Sequence, residues 1–389
     1  MHISKTYIIF ILIIAKLLAT AFSLYVVDKF TPLVDAKLYQ SEDFFNYTLT
    51  LRTYLVQITA SVFSFLTSPI ISHYIFSFIS ISGILWYAIF YKITWHILFI
   101  LLLPTSMIWT SIIGKEAIYY CLFSVLLINW SILINKRLKI SNCLLVLIIS
   151  ILCLILRPHY FIGIIWLYWS AVAIYKYKNY KSILCFTHLS LCIFILILSF
   201  YGHILSDYFN FNLFDLRWRA FTSIDINGNA SRHETLGLII NENICLNKIN
   251  CEFLEERKKY LEIEFSKYFS LGMIFGIIGP FLSEAMQRPE FIPFFIEGLI
   301  ILLMPLVFFI LCKSNKNFCY SNIYFKNYVY GIMPAIFLLM IIHAYFGILN
   351  PGTAIRWRIN FELIFYFAPY LIYLNLKEFK NEKNPTFSS

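Results

Sequence analysis

Charge is what this chain has least of. Only 13% of its 389 residues are Asp, Glu, Lys or Arg, while 60% are hydrophobic, and the mean hydropathy is +0.74. A soluble domain of this size does not cover itself with so little charge, which excludes a water-soluble globular protein. Alternating apolar and polar residues are also lacking. The apolar runs are continuous, which excludes a membrane β-barrel. No glycine-rich phosphate loop of the Walker type occurs, and no stretch reads as a soluble catalytic domain. The nine cysteines show no metal-ligand spacing. Cys121, Cys143, Cys153, Cys185, Cys192 and Cys312 lie in or beside apolar runs and read as small apolar residues. Cys245 and Cys251 share one long polar loop, where an extracytoplasmic setting would make a local disulfide available to them.

What is present is a series of apolar runs of about 20 residues, the length of a membrane-crossing helix. The expected fold is all-α, a polytopic transmembrane bundle forming a single integral membrane domain over 1–389. The runs predict ten spans, at 6–27, 69–90, 96–113, 115–134, 141–156, 159–175, 182–205, 291–311, 327–346 and 359–376. Residues 54–68 read as an interfacial or lateral helix, because Pro69 follows and a helix from 54 to 90 would be far too long. Met1 to Lys5, the apolar run and Ala19-Thr20-Ala21 imitate a cleaved signal peptide. Lys16 interrupts that run, which continues to Val27, so an uncleaved first helix is expected.

Lysines set the orientation. Lys92, Lys136, Lys139, Lys176, Lys178, Lys181, Lys313, Lys316, Lys326 and Lys377 lie in short connections or near the C-terminus, and the positive-inside rule makes those segments cytoplasmic. Much of the +10 net charge is accounted for in this way, which removes the case for nucleic acid. Parity then puts the loop at 206–268 outside the cytoplasm and requires an odd number of spans between it and residue 312. Of the two apolar segments there, 269–283 is short and carries Gly272, Gly276, Gly279 and Pro280. It is expected to be re-entrant or interfacial. Both termini are expected in the cytoplasm.

On this topology nine of the ten arginines fall outside, all but Arg137, against the trend that orients the helices. Chemistry is therefore expected on the outer face. Asp35, just beyond the first helix, is a candidate general base. Lys115 and Glu116 stand between two apolar runs with almost no loop, and the helix that starts there directs its positive dipole end at the same place. Arg157-Pro158-His159 joins two more runs without a polar spacer, with Pro158 suited to a first helical position. The long loop offers Arg217, Arg219, Arg232 and His233 beside aromatics, a mixture suited to sugar rings. Its stretch from Glu252 to Lys267 reads as a charged surface helix. Asn350-Pro351-Gly352 marks a turn, and Arg356 and Arg358 follow where the chain re-enters lipid. Arginine's planar fork suits phosphate.

These blocks resemble bacterial membrane glycan-assembly proteins, namely O-antigen or capsule polymerases and the lipid-carrier-dependent glycosyltransferases of the GT-C superfamily. Asp35-Ala-Lys-Leu-Tyr39 is similar to the first-loop segment carrying the base of GT-C enzymes, which often hold an acidic pair where this chain has Asp35-Ala36. Trp109-Thr-Ser-Ile-Ile-Gly-Lys-Glu-Ala117, Arg157-Pro-His159 and Arg356-Trp-Arg358 resemble segments of proteins described as polymerases. Arg217 and Gly228 match an Arg–Gly spacing of O-antigen polymerases.

The resemblance implies a glycosyltransferase in a bacterial inner membrane, acting on a polyprenyl-pyrophosphate-linked oligosaccharide. Lys115, Arg157, Arg217, Arg219, Arg232, Arg356 and Arg358 would bind the substrate. Asp35, Glu116, His159 or His233 would orient or deprotonate the acceptor. No cofactor or metal is expected, since arginines can do the electrostatic work. Expected partners are the carrier lipid, membrane lipid and other polysaccharide-assembly proteins. The alternative is a flippase or transporter for the same lipid-linked oligosaccharide, which needs polar groups near the bilayer midplane.

Overall fold

A computed structural model of the chain describes residues 5–30, 36, 39–40, 51–90, 93–135, 140–209, 269–280, 282–315, 318–319, 322–349 and 351–383. Among these residues the secondary structure is helical, without strands. Among the described residues, seven helices are long and apolar enough to cross a membrane: Lys5–Val27, Pro69–Ile89, Lys115–Asn135, Tyr180–Leu198, Pro289–Lys313, Ile323–Ala344 and Ala354–Lys377. Large apolar side chains such as Leu144, Ile148, Ile151, Phe186, Leu189 and Ile193 are exposed. Outward apolar faces of this kind suit a lipid surround rather than water.

The described residues divide into two units. The first comprises 1–181, 303–336 and 359–389, and the second 182–302 and 337–358. In the first unit, α1 (Lys5–Phe22) runs on through a π turn at Ser23–Val27. α2 (Leu51–Leu66) packs on α3 (Pro69–Phe90), and α3 packs on both α1 and α6 (Lys115–Asn135). α6 also meets α7 (Ile140–Leu156), α8 (Pro158–Lys176) and α16 (Glu362–Lys383). It is the central helix. Its buried residues, which include Tyr119, Tyr120, Leu126, Ile128 and Asn129, are spread around most of its circumference, as expected for a helix enclosed by others. From 359 to 376, every residue except Tyr373 is buried.

The segment expected as one span at 96–113 is not one helix. It forms α4 (His96–Leu101) and α5 (Pro104–Trp109), followed by a bent stretch to Gly114. Each short helix is only about 9 Å long by helical rise. Pro104 starts α5 because it lacks the N–H needed to continue α4. The sequence hid the break because hydroxyls take the place of backbone donors. Ser106 Oγ donates to the Leu101 and Leu103 carbonyls at 3.2 and 2.9 Å, and Thr110 Oγ1 donates to the Ser106 carbonyl. Irregular backbone among apolar helices is tolerable only where such partners are built in.

The second unit contains most of α9 (Tyr180–Phe209), α10 (Phe269–Ile278), α11 (Leu282–Gln287), the first half of α12 (Ile292–Lys313), most of α14 (Met333–Leu349, which follows the one-turn α13 at Ile323–Asn327), and α15 (Pro351–Arg358). The turn expected at Pro351-Gly352 is instead the start of α15, with Pro351 at a first-turn position where its missing N–H costs nothing. The chain turns at Ile359–Phe361. α10 ends at Gly279, whose φ of 88° suits glycine. A Cβ on Gly276 would lie 2.9 Å from the His343 carbonyl oxygen, and one on Gly298 or Gly347 would collide with the backbone of Ile278 or Gly272. Glycine therefore lets these segments pack backbone to backbone.

Candidate anion-binding site

Helix starts define the site in the first unit. α6 begins at Lys115, α8 at Pro158 and α16 at Glu362. Each is long enough to carry a full dipole, with its positive end at these residues. Side-chain contacts bring the three starts together. Arg157, the residue before α8, donates from Nη2 to Glu116 Oε1 in the first turn of α6, at 2.5 Å, with both side chains buried. Tyr160, in the first turn of α8, packs its ring 5.1 Å from that of Phe361, which immediately precedes α16. Three positive helix ends thus face one region.

Further cations gather there. The Lys115 ammonium lies 5.7 Å from the centre of the buried Tyr39 ring. Arg52, second residue of α2 and half-buried, interacts electrostatically with both Arg157 and Tyr39. Burial first, and then the Arg157 charge, pulls the Arg52 pKa below the ordinary arginine range, while Tyr39 opposes the shift. Its guanidinium stays charged at physiological pH all the same. Arg52 and Arg157 are like charges that interact, and an anion beside both would weaken their repulsion.

Beneath this lies a polar network. Lys16, in the middle of α1, donates to the Ser106 carbonyl at 3.2 Å, to Ser111 Oγ at 3.4 Å and to Thr110 Oγ1. It also interacts electrostatically with the buried Glu362 carboxylate. Tyr366 donates to Glu362 Oε1 at 2.8 Å, and its hydroxyl lies 3.3 Å from that of Tyr120. On the flank, His73 Nδ1 accepts from the Ile113 N–H at 3.2 Å, and its Nε2 lies 3.3 Å from Gln40 Nε2. Asp28 interacts electrostatically with His73.

Of the residues the sequence singled out, Lys115, Glu116 and Arg157 come together here. His159 is half-buried in the first turn of α8, two residues beyond Arg157. Arg358 lies in the second unit and is engaged inside it. Its Nη2 is 2.7 Å from Glu297 Oε2, and its Nη1 donates to the carbonyls of Ile277 and Ile278 at 2.7 and 3.2 Å. Neither side chain of that pair has any exposure. Arg358 was expected to grip substrate; these contacts make it an internal strut joining α15 to α10 and α12. Arg356 is half-buried on the same helix. Asp35, Arg217, Arg219, Arg232, His233, Cys245 and Cys251 lie outside the described residues.

Sequence reasoning gave no site role to Lys16, Tyr39, Arg52, Tyr120, Glu362 or Tyr366. Lys16 was visible as a lone charge in an apolar run, and Glu362 as a carboxylate opening another. The tyrosines carried no signal among 27 of their kind. Among the described residues no group of three or more His, Cys, Asp and Glu gathers in metal-binding proximity. Compared with known proteins, the chain matches no family model, no curated protein and no solved structure.

Proposed function

We propose that this chain is a glycosyltransferase of a bacterial inner membrane, of the polymerase kind, using a polyprenyl-pyrophosphate-linked glycan as donor at the outer face. The observation that carries this reading is the convergence of three helix N-termini with Lys115, Arg157 and Arg52. Preorganised positive ends and fixed cations are worth most where negative charge develops. In glycosyl transfer that charge develops on the leaving pyrophosphate. The acceptor hydroxyl attacks the anomeric carbon, the bond from that carbon to the pyrophosphate oxygen breaks, and the acceptor proton passes to a base. Glu116 is the carboxylate paired with Arg157, and His159 lies two residues beyond Arg157; Asp35 and His233 remain the loop candidates. In this reading ten segments cross the membrane, counting the broken 96–113, with 206–268 and the re-entrant 269–283 outside and both ends in the cytoplasm. The surface-polysaccharide assembly machinery would be its partner.

The test is reconstitution. Purified protein given lipid-linked repeat units should lengthen them, and gel profiling of the released glycan reads the result. Unchanged length under conditions where the protein stays folded sinks the proposal.

One observation favours a second reading, a carrier-lipid flippase. Lys16 lies about 17 Å along α1 from Lys5, by helical rise, and is held by the broken segment 104–111. Charged residues on interrupted helices are characteristic of transporters. Vesicles loaded with a labelled lipid-linked sugar separate the two. Translocation without lengthening would favour the flippase.

A further inference from the structure

Among the described residues of the first unit, several buried tyrosines have hydroxyls with hydrogen-bond partners, and Tyr119 does not. Tyr120 and Tyr366 lie within hydrogen-bond distance of each other, Tyr328 donates to the Pro305 carbonyl, and Tyr370 donates to the Thr94 carbonyl at 3.3 Å. Tyr119 is only 1% exposed, and its hydroxyl is buried with no hydrogen-bond partner among the described residues. Buried polar groups without partners are rare in native proteins, and each calls for an explanation.

Its position supplies one. Tyr119 follows Glu116 by three residues on α6, so the two share a helix face. Its ring is stacked on Phe123 with centroids 5.2 Å apart, which fixes where the hydroxyl points. That hydroxyl interacts electrostatically with the Arg157 guanidinium, the Tyr160 hydroxyl and the Cys153 thiol. Beside a guanidinium, a phenol turns its oxygen toward the cation and its hydrogen away. The hydrogen then needs an acceptor, and beside a guanidinium the acceptor that fits is an anion's oxygen.

We infer that Tyr119 is a phosphate-binding residue, whose hydroxyl donates to a phosphoryl oxygen of the anion drawn to Arg157. This rests on the reading of the site as a pyrophosphate cradle and adds to it a neutral donor. Cations attract phosphate from any direction. A phenol hydrogen on a ring pinned by Phe123 selects one oxygen and so fixes how the headgroup sits.

The test uses the full-length protein in detergent with two probes, inorganic pyrophosphate and a short-chain polyprenyl pyrophosphate, which separate the free anion from the lipid headgroup. Affinity is read by calorimetric titration, and the unliganded melting temperature is read alongside. Tyr119→Phe should weaken binding of the lipid probe roughly tenfold or more, the scale of a hydrogen bond to a charged group. Its unliganded melting temperature should stay level or rise, because removing an unpartnered hydroxyl leaves nothing unsatisfied. Inorganic pyrophosphate weakened by the same factor assigns the contact to the phosphate itself. If the wild type binds and Tyr119→Phe binds equally well, the inference is wrong and the cradle stands. If the variant melts lower without ligand, the hydroxyl serves the fold, and the inference is wrong again. If the wild type binds neither probe, the cradle itself fails.

Discussion

The Arg358 guanidinium lies 2.7 Å from the Glu297 carboxylate, with neither side chain exposed. Breaking a buried pair by removing one partner leaves a charge with no compensation, at a cost of about 3–5 kcal/mol. Arg358→Ala and Glu297→Ala should therefore each lower the melting temperature of the detergent-purified protein sharply. The double replacement Arg358→Leu with Glu297→Leu should recover much of that loss. Single variants that melt like the wild type would show that this pair does not hold α15 to α12.

Glu116 offsets Arg157 in the first unit. Glu116→Gln removes a negative charge from the cradle while keeping the volume. It should tighten binding of inorganic pyrophosphate and lower the melting temperature, opposite signs from one change. Titration calorimetry and thermal unfolding on the same sample read both. Weaker anion binding would mean that Glu116 supports the site in some way other than as Arg157's counter-charge.

Lys16 fastens α1 to the interrupted segment through Ser106, Thr110 and Ser111. Lys16→Met keeps the apolar stem and removes the three donors. Amide hydrogen exchange across 104–113 should then speed up, while exchange in the middle of α3 stays as it was. Equal exchange in both proteins would mean that the segment holds itself in place.

Glycine positions differ in what surrounds them. A Cβ on Gly298 would run into the Ile278 carbonyl oxygen at 2.0 Å, whereas one on Gly83 would meet Ser124 Oγ and a Val125 methyl at 2.7 Å and backbone, the Cys121 carbonyl oxygen, only at 3.2 Å. Overpacking costs typically about 1–3 kcal/mol, and less where a side chain can turn aside. Gly298→Ala should thus lower the melting temperature more than Gly83→Ala. The reverse order would contradict the close approach of α12 to Ile278.

Where the sequence was readable, single-segment physics explains why. Of the ten runs expected to span, seven appear among the described residues as helices long and apolar enough to cross a membrane. Lys115, Glu116 and Arg157 drew attention as charges wedged between apolar runs, and they meet in space. What escaped was relational. Arg358 looked like a residue facing substrate because nothing local showed that Glu297, 61 positions earlier, would claim it. The interruption at 102–103 escaped because Ser106 satisfies the flanking carbonyls without changing the apolar character of the run. Tyr119 escaped because an unpartnered hydroxyl is a property of its neighbours.

The central claim is that Arg157, set among three helix starts, carries the leaving pyrophosphate. The most direct measurement is glycan lengthening by purified wild type and Arg157→Gln, both supplied with lipid-linked repeat units, with folding of each checked by its melting profile. The account predicts long chains from the wild type. From the folded variant it predicts a rate lower by about 10²-fold or more, the scale of losing one preorganised charge-stabilising donor. A folded Arg157→Gln protein that builds chains at the wild-type rate would contradict it.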